Sequence, residues 1–440
     1  MKLMQVDSIT IKDIGLFDSE ADIGLATHLN FCKTNGGGFY FTELLSNPLS
    51  DKMLIERRQE AIQIFIQHKN FFEKLKTTNG TTLVIDKFFE TGFKKTSPYP
   101  NWWESTLYSI FNKADYSLVR YSVEHLNILI NDFDQWLLLF NNERHNPIIE
   151  KWYLEIEKIL SVEVLYPVRK NIFITSAQTV LQLSYFYTYH YKNQIRRLLQ
   201  LLYEIDAFSS LASAKVQYKF EFPHWIEQDQ PLFIINDAKH PLVEDAISNP
   251  LQLNEQQNFL FLTGANMAGK STFIKTIAIV VYLAHIGMGA PGENIQLTVM
   301  DGLMTNLTIA DNIVKGESYF FNEVKRIKNT IEKIKDGKKY FVLIDELFKG
   351  TNIQDAMKCS VAVIEGLQKI KSSLFVVSTH LYEISDALSK YTNIQFKYFE
   401  TTVTNHELVF HYQLKEGVSQ DRIGYLILER EGVVNMLDHL

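Results

Sequence analysis

Cysteine is nearly absent from this chain: only Cys32 and Cys359 occur, far apart and without a CxxC spacing or a clustered histidine partner. That scarcity excludes a disulfide framework and gives a zinc site no support, so both read as ordinary buried or half-buried thiols. The amino terminus, MKLMQVDSITIKD, has neither an apolar core segment nor a small-residue cleavage site, so no secretory leader is expected and the expected location is cytoplasmic. Long hydrophobic runs are also scarce. The one present, Ile274 to Ala290, contains Lys275 and His285 and reads as a buried helix, with no membrane association expected. No internal repeat or low-complexity tract is visible. A strong positive balance is missing too: 44 Lys and Arg stand against 51 Asp and Glu, a formal net charge of −7. This argues against a protein that grips nucleic acid mainly through a strongly basic surface, while leaving a local positive groove open.

What the chain has in quantity is length and aromatic residues. Its 440 residues exceed one ordinary core, so two or three domains are expected, and 30 Phe with 21 Tyr supply ample material to bury. From about Ala21 to Ala212 the pattern is helical, with long segments at Asp51 to Lys76, Trp103 to Glu143 and Tyr185 to Leu211. Pro48 and Asp51 mark a helix start, followed by an apolar stripe of Leu54, Ile55, Ala61, Ile62, Phe65 and Ile66. TTNGTTLVIDK and GFKKTSPYPNWW read as turn-rich interruptions. The second combines Lys94 and Lys95 with Trp102 and Trp103, either a loop packing its tryptophans or a nucleic-acid contact.

After about Gln217, prolines, short β-like runs and turn residues begin, and strands then alternate with helices: FLFL, IQLTVMDGLMTNL, KKYFVLIDEL and SSLFVVSTH, with helices from Ser271, Ser318 and Gln354. Within NFLFLTGANMAGKSTFIKT, an apolar strand enters a glycine turn and leaves as a helix, with Gly264, Gly269, Lys270 and Ser271 at phosphate-loop spacing. Successive backbone N–H groups there can face phosphates, Lys270 can reach the β and γ phosphates of a nucleoside triphosphate, and Ser271 can ligate Mg²⁺. KKYFVLIDEL is an apolar strand ending in two acids. Beside a phosphate loop, Asp345 can hold Mg²⁺ and Glu346 can polarise an attacking water. LFVVSTH ends at His380, either a γ-phosphate sensor or a strand-end capping residue. Ser318, after Lys315, Gly316 and Glu317, starts a helix as a cap or as a phosphate contact.

Together these elements resemble the MutS family of mismatch-repair ATPases, within the ABC ATPase superfamily. The family's phosphate loop reads TGPNMGGKST and stands here as TGANMAGKST, Thr263 to Thr272, keeping Asn266 and Met267 and departing at Ala265 and Ala268. HPLVE from His240, DGLMTNLTIADNIVKGESYFFNEV from Asp301, IDELFKGTN from Ile344 and STHLYEI from Ser378 follow in the family's order. FTELLSNPLSDKMLIERRQEAIQIF and YEIDAFSSLA resemble the two ends of its helical core and lever region. The resemblance implies an α/β ABC-type P-loop ATPase domain at 217–440, preceded by an all-α helical core/lever domain at 1–216.

It also implies hydrolysis of ATP to ADP and phosphate with Mg²⁺. Lys270, Glu346 and His380 are catalytic by this likeness, and Gly264, Asn266, Met267, Gly269, Ser271 and Thr272 bind nucleotide. Ser318 looks like a signature serine that completes the partner's site, in a homodimer or a dimer with another MutS-like subunit. Tyr319 and Glu317 depart from the family at its flanks. Ala246 and Ile247 stand where the family stacks an aromatic on adenine, and GVSQDRIGYL from Gly417 disturbs the family's SYG. No counterpart of the mismatch-reading domain with its Phe-x-Glu wedge is expected, FYF at Phe39 to Phe41 being no such wedge. A clamp that is reduced or lost and weaker dimerisation are expected as well. The DNA expected is mismatched or branched, with an ATP-switched protein scaffold as the reading of another class.

Overall fold

The computed structural model describes residues 2–20, 22–73, 76–91, 99–170, 176–307, 319–404, 407–419 and 433–438. They form two compact units. One comprises Leu29–Ser46 and Glu56–Ala214; the other comprises Met1–His28, Asn47–Ile55 and Lys215–Leu440. The units are therefore not consecutive in sequence. Residues 1–28, expected in the helical half, join the α/β unit because strand β1 (Gln5–Val6) pairs in parallel with a strand at Gly302–Asn306.

The helical unit is built from long amphipathic helices, among them Lys113–Phe140, Pro147–Leu160 and Lys192–Gln217. Aromatic residues fill its centre: Phe65 stacks on Phe72 with centroids 4.3 Å apart, and Trp152 meets Phe208 edge-on at 5.0 Å. The Trp152 indole N–H donates to Glu204 at 2.9 Å, so this buried ring keeps its polar atom paired. Two sequence expectations change here. TTNGTTLVIDK interrupts the helices only at Thr77 and Thr78; from Asn79 it opens the helix Asn79–Glu90, where Thr81 Oγ1 accepts the Thr78 N–H at 3.3 Å. Asn79 and Gly80 occupy its first turn, where cap-type residues are favoured. Trp102 and Trp103 open the helix Trp102–Phe111 and are 56% and 70% exposed, so they are not packed loop residues. Lys94 and Lys95 lie outside the described residues.

In the α/β unit the strands are β2 (His224–Trp225), β3 (Phe233–Ala238), β4 (Asn249–Leu253), β5 (Phe259–Gly264) and β6 (Gln296–Leu297), then β7 (Gly302–Asn306), β8 (Tyr340–Ile344), β9 (Leu374–Ser378), β10 (Ile394–Thr404) and β11 (Glu407–Glu416). The main sheet runs β1-β7-β8-β9-β5-β10-β11, parallel throughout except for the antiparallel pair β10 and β11. A smaller sheet runs β2-β6-β3-β4. The segment IQLTVMDGLMTNL, expected as one strand, is split between the two sheets. Its middle crosses over, held where Met300 N–H donates to His285 Nε2 at 2.9 Å and Asp301 N–H to the Lys339 carbonyl at 2.7 Å.

β7, β8 and β9 are buried at every residue, which explains the unbroken apolar sequence of β8 and the apolar run Leu374 to Val377 of β9: a parallel sheet covered on both faces has no solvent side to alternate toward. The apolar run after the phosphate loop is the buried helix Lys270–Ile286, as its length and interruptions suggest. Its His285 is accommodated neutral. Nδ1–H donates to the Val281 carbonyl at 2.8 Å, and burial pushes its pKa down to about 4. No helix among the described residues is long and apolar enough to cross a membrane.

Candidate functional site

In an open parallel sheet, ligand sites form beyond the carboxyl ends of the strands. Here β5 lies between β9 and β10, and β8 lies beside β9. Residues far apart in sequence therefore leave neighbouring strands at one edge.

The turn after β5 needs its glycines. Gly264 has φ +139°, and a Cβ there would stand 3.3 Å from backbone atoms of Phe399. Gly269 has φ +105°, and its Cβ would stand 3.2 Å from the Tyr412 ring. Met267 takes φ +68° with its side chain 70% exposed, while Ala268 is buried inside the loop. Lys270, first residue of the helix and 4% exposed, turns back into the loop: Nζ donates to the carbonyls of Gly264 at 2.8 Å and Ala265 at 2.9 Å. Burial pushes its pKa below the ordinary lysine value, against the opposing pull of the Glu346 and Asp345 carboxylates. Ser271 and Thr272 sit exposed on the first helical turn and line the adjoining cleft with Asn266.

Asp345 follows β8 directly. Its carboxylate accepts from Ser378 Oγ, while the Glu346 N–H donates to Ser378 Oγ at 3.1 Å and to the Ser378 carbonyl at 3.2 Å. Ser378 thus ties the two acids to the end of β9. Glu346 has φ +56°, and its carboxylate receives His380 Nε2 on one oxygen and Lys349 Nζ on the other. Burial alone would raise its pKa, but the hydrogen bonds and charges of His380 and Lys349 outweigh it and hold the carboxyl at about 2. The structure therefore brings together Lys270, Asp345, Glu346 and His380. Ser318 lies outside the described residues.

The cleft beside the loop has a volume of about 710 Å³, and Lys270 and Glu346 are among its lining residues. Two of its walls, Tyr412 and Phe399, were not read from sequence. Tyr412 from β11 and Phe399 from β10 line it, together with His240, Ala246 and Ile247 of the 238–249 segment. Asn249 holds β11 in place: its Nδ2 donates to the Tyr412 carbonyl at 2.9 Å, and its Oδ1 accepts the Leu414 N–H at 2.7 Å. Burial and the nearby Lys275 charge push His240 down to about 4, so it faces the cleft as a neutral ring. The alternation of Phe410, Tyr412 and Leu414 marks a strand, but nothing local says that its Tyr covers a loop over a hundred residues earlier.

Residues 260–436 match the family model described as MutS domain V. The chain is 29% identical over 298 residues to the DNA mismatch repair protein MutS of Petrotoga mobilis, covering 67% of this chain and 35% of that relative. It is 32% identical over 224 residues to the protein of that name in Anaplasma phagocytophilum, covering 50% of this chain and 27% of the relative. In Ehrlichia ruminantium the corresponding figures are 32% over 258 residues, 57% and 32%. The chain thus spans about a third of the length of the relatives it matches.

Proposed function

With its domain V this chain belongs to the MutS family, and from that premise we propose that it is an ABC-type P-loop ATPase whose nucleotide state gates DNA binding in mismatch repair or a related DNA-structure-processing role. The observation that carries the reading is the convergence of Lys270, Asp345, Glu346 and His380 at the edge where β5, β8 and β9 end.

In this reading ATP enters the cleft with its phosphates on the 264–271 turn. Backbone N–H groups and Lys270 neutralise them, and the base lies toward Tyr412 and Phe399, which offer the aromatic surface that Ala246 and Ile247 do not. Glu346 orients the attacking water, and His380 reports the γ-phosphate. Both now bond to each other, so Glu346 must exchange at least one partner to accept a water proton. Among the described residues no cluster of three His, Cys, Asp or Glu could hold a metal. Mg²⁺ takes few protein ligands and keeps phosphate and water oxygens, and the Ser271 hydroxyl and Asp345 carboxylate are hard oxygen donors of that kind. Ser271 and Asp345 would hold it, and when bound it would offset charge on the transferring phosphoryl group. Ser318 would complete the site of a second subunit, in a homodimer or with another MutS-like chain. The helical unit would serve as core and lever, and the protein would work in the cytoplasm.

A second reading, an ATP-switched protein scaffold, is favoured by the net charge of −7. Salt titrations of binding to homoduplex, mismatched and four-way DNA, each with and without ATP, separate the readings. ATP-dependent binding to mismatched or four-way DNA, weakening with salt, supports the first. Equal failure on all three DNAs leaves the scaffold.

A further inference from the structure

The loop that follows the two acids, 346–350, is held in an unfavourable backbone shape. Glu346 has φ +56° and Phe348 has φ +59°, both in the left-handed region that bulky side chains avoid. Such a conformation persists only where its surroundings over-determine it. One end is tied to β9, through the Glu346 N–H on Ser378. The other end is tied to the helix Tyr319–Ile334. Glu323 of that helix, 2% exposed, accepts the Lys349 N–H on Oε1 at 3.1 Å and the Gly350 N–H on Oε2 at 3.3 Å. Phe320, one turn earlier, packs its ring against that of Phe348 with centroids 5.8 Å apart.

A buried carboxylate facing successive backbone N–H groups is a rigid fastening, because leaving those donors unpaired in a dry environment is costly. Burial raises the Glu323 pKa, and the backbone donors oppose that rise. The fastening fixes more than backbone. Lys349, whose N–H Glu323 holds, carries the ammonium that sits on Glu346 Oε2. The position of the helix therefore sets both the path of the chain leaving Glu346 and the placing of one of the two cations that hold its carboxylate.

We infer that Glu323 is a positioning residue for hydrolysis: it locks the 346–350 loop to the helix Tyr319–Ile334, so that a displacement of this helix is transmitted to the Glu346 carboxylate. The inference rests on the ATPase reading above, with Glu346 as the group that orients water. That helix begins immediately after Ser318, the residue assigned there to a second subunit. Contact at its start would thereby reach the hydrolytic carboxylate without touching nucleotide in the same subunit.

The test uses the full chain and two variants, Glu323→Ala and Glu323→Gln. The alanine variant removes both acceptors. The glutamine variant keeps one oxygen and turns an NH₂ group toward a backbone donor. Three quantities are measured: phosphate release from Mg-ATP, affinity for a fluorescent ATP analogue, and hydrogen–deuterium exchange of peptides covering 345–352 and 319–334. Expected for Glu323→Ala are a fall in kcat of about tenfold or more, nucleotide affinity within about twofold of the parent, and exchange in 345–352 at least about tenfold faster while 319–334 stays protected. Glu323→Gln should fall between parent and alanine in both kcat and exchange. Unchanged exchange in 345–352 overturns the fastening, whether or not the parent hydrolyses ATP. Faster exchange with unchanged kcat overturns the positioning role, as does a parallel loss of kcat and nucleotide affinity. Should Glu323→Ala fail to fold, Glu323→Gln with parental kcat and exchange overturns it equally. A parent that binds nucleotide but releases no phosphate counts against the ATPase reading, and the exchange data then decide the fastening alone.

Discussion

Replacing Glu346 by Gln removes the carboxylate on which the proposed chemistry turns, and its consequences separate into catalysis and stability. Gln keeps the size of the side chain but cannot take a proton from water, so turnover should drop by about 10²–10⁴, the range typical for loss of a general base or water-orienting group. Nucleotide contacts through Lys270 and the 264–271 turn remain, so the variant should bind ATP and keep it unhydrolysed. The stability cost follows from the ion pairs. A carboxyl held at about 2 rather than 4.5 corresponds to roughly 3 kcal/mol favouring the folded anion. Lys349 and His380 are 42% and 37% exposed, and solvent screening cuts this to about 1–2 kcal/mol. The folded carboxyl is the more acidic one. Its contribution is therefore complete above the unfolded value of 4.5 and disappears as pH falls toward 2. The stability gap between parent and variant should narrow as the pH falls below about 4. Phosphate release, filter retention of labelled ATP and denaturant melts at several pH values supply the readings. Turnover equal to the parent's would refute the role given to Glu346, and a gap that widens on acidification would refute the electrostatic account of it.

Three further outcomes follow from the same geometry. Lys270→Ala should weaken ATP binding by about tenfold to a hundredfold, since it removes a buried charge aimed at the phosphates; equilibrium binding of a fluorescent analogue checks this. Tyr412→Ala should raise the KM for ATP several-fold with a smaller change in kcat, because an aromatic wall of the cleft contributes about 1 kcal/mol of uniform binding; steady-state kinetics would expose an unchanged KM. Arg326→Met should destabilise the α/β unit by about 3 kcal/mol, since the buried guanidinium serves both Asp7 and the Thr305 carbonyl. Burial works to raise the Asp7 carboxyl, yet bonds from Arg326 and Thr10 hold it at about 2, so the loss should be full above pH 4 and shrink on acidification in urea melts.

Legibility in the sequence tracked how local each feature is. The glycine turn, Lys270, the apolar strand ending at Asp345 and Glu346, and the strand before His380 are runs of consecutive residues, and their spacing carries their geometry. The helix Asn79–Glu90 escaped because Asn79 and Gly80 suit a turn and a first helical turn equally well, and only neighbouring contacts choose. Likewise IQLTVMDGLMTNL has one strand-like pattern but divides between two sheets, a choice made by partner strands and by His285. The placement of β1 beside β7 was invisible, because two residues carry no strand signal of their own.

By itself, then, the sequence determined that a glycine turn of phosphate-loop spacing is present, that two acids end a buried strand, and that a helical half accompanies an α/β half. Each is written in adjacent residues whose conformations are set by steric limits, apolar period and backbone hydrogen bonding. Only the tertiary structure decided which distant side chains complete the site: Ser378 bracing the two acids, Tyr412 and Phe399 walling the cleft, and Glu323 fastening the loop behind Glu346. The reason is physical. These partners meet through the order of strands in a sheet and the packing of a helix on it, and that order depends on the summed burial of the whole unit rather than on any stretch of chain.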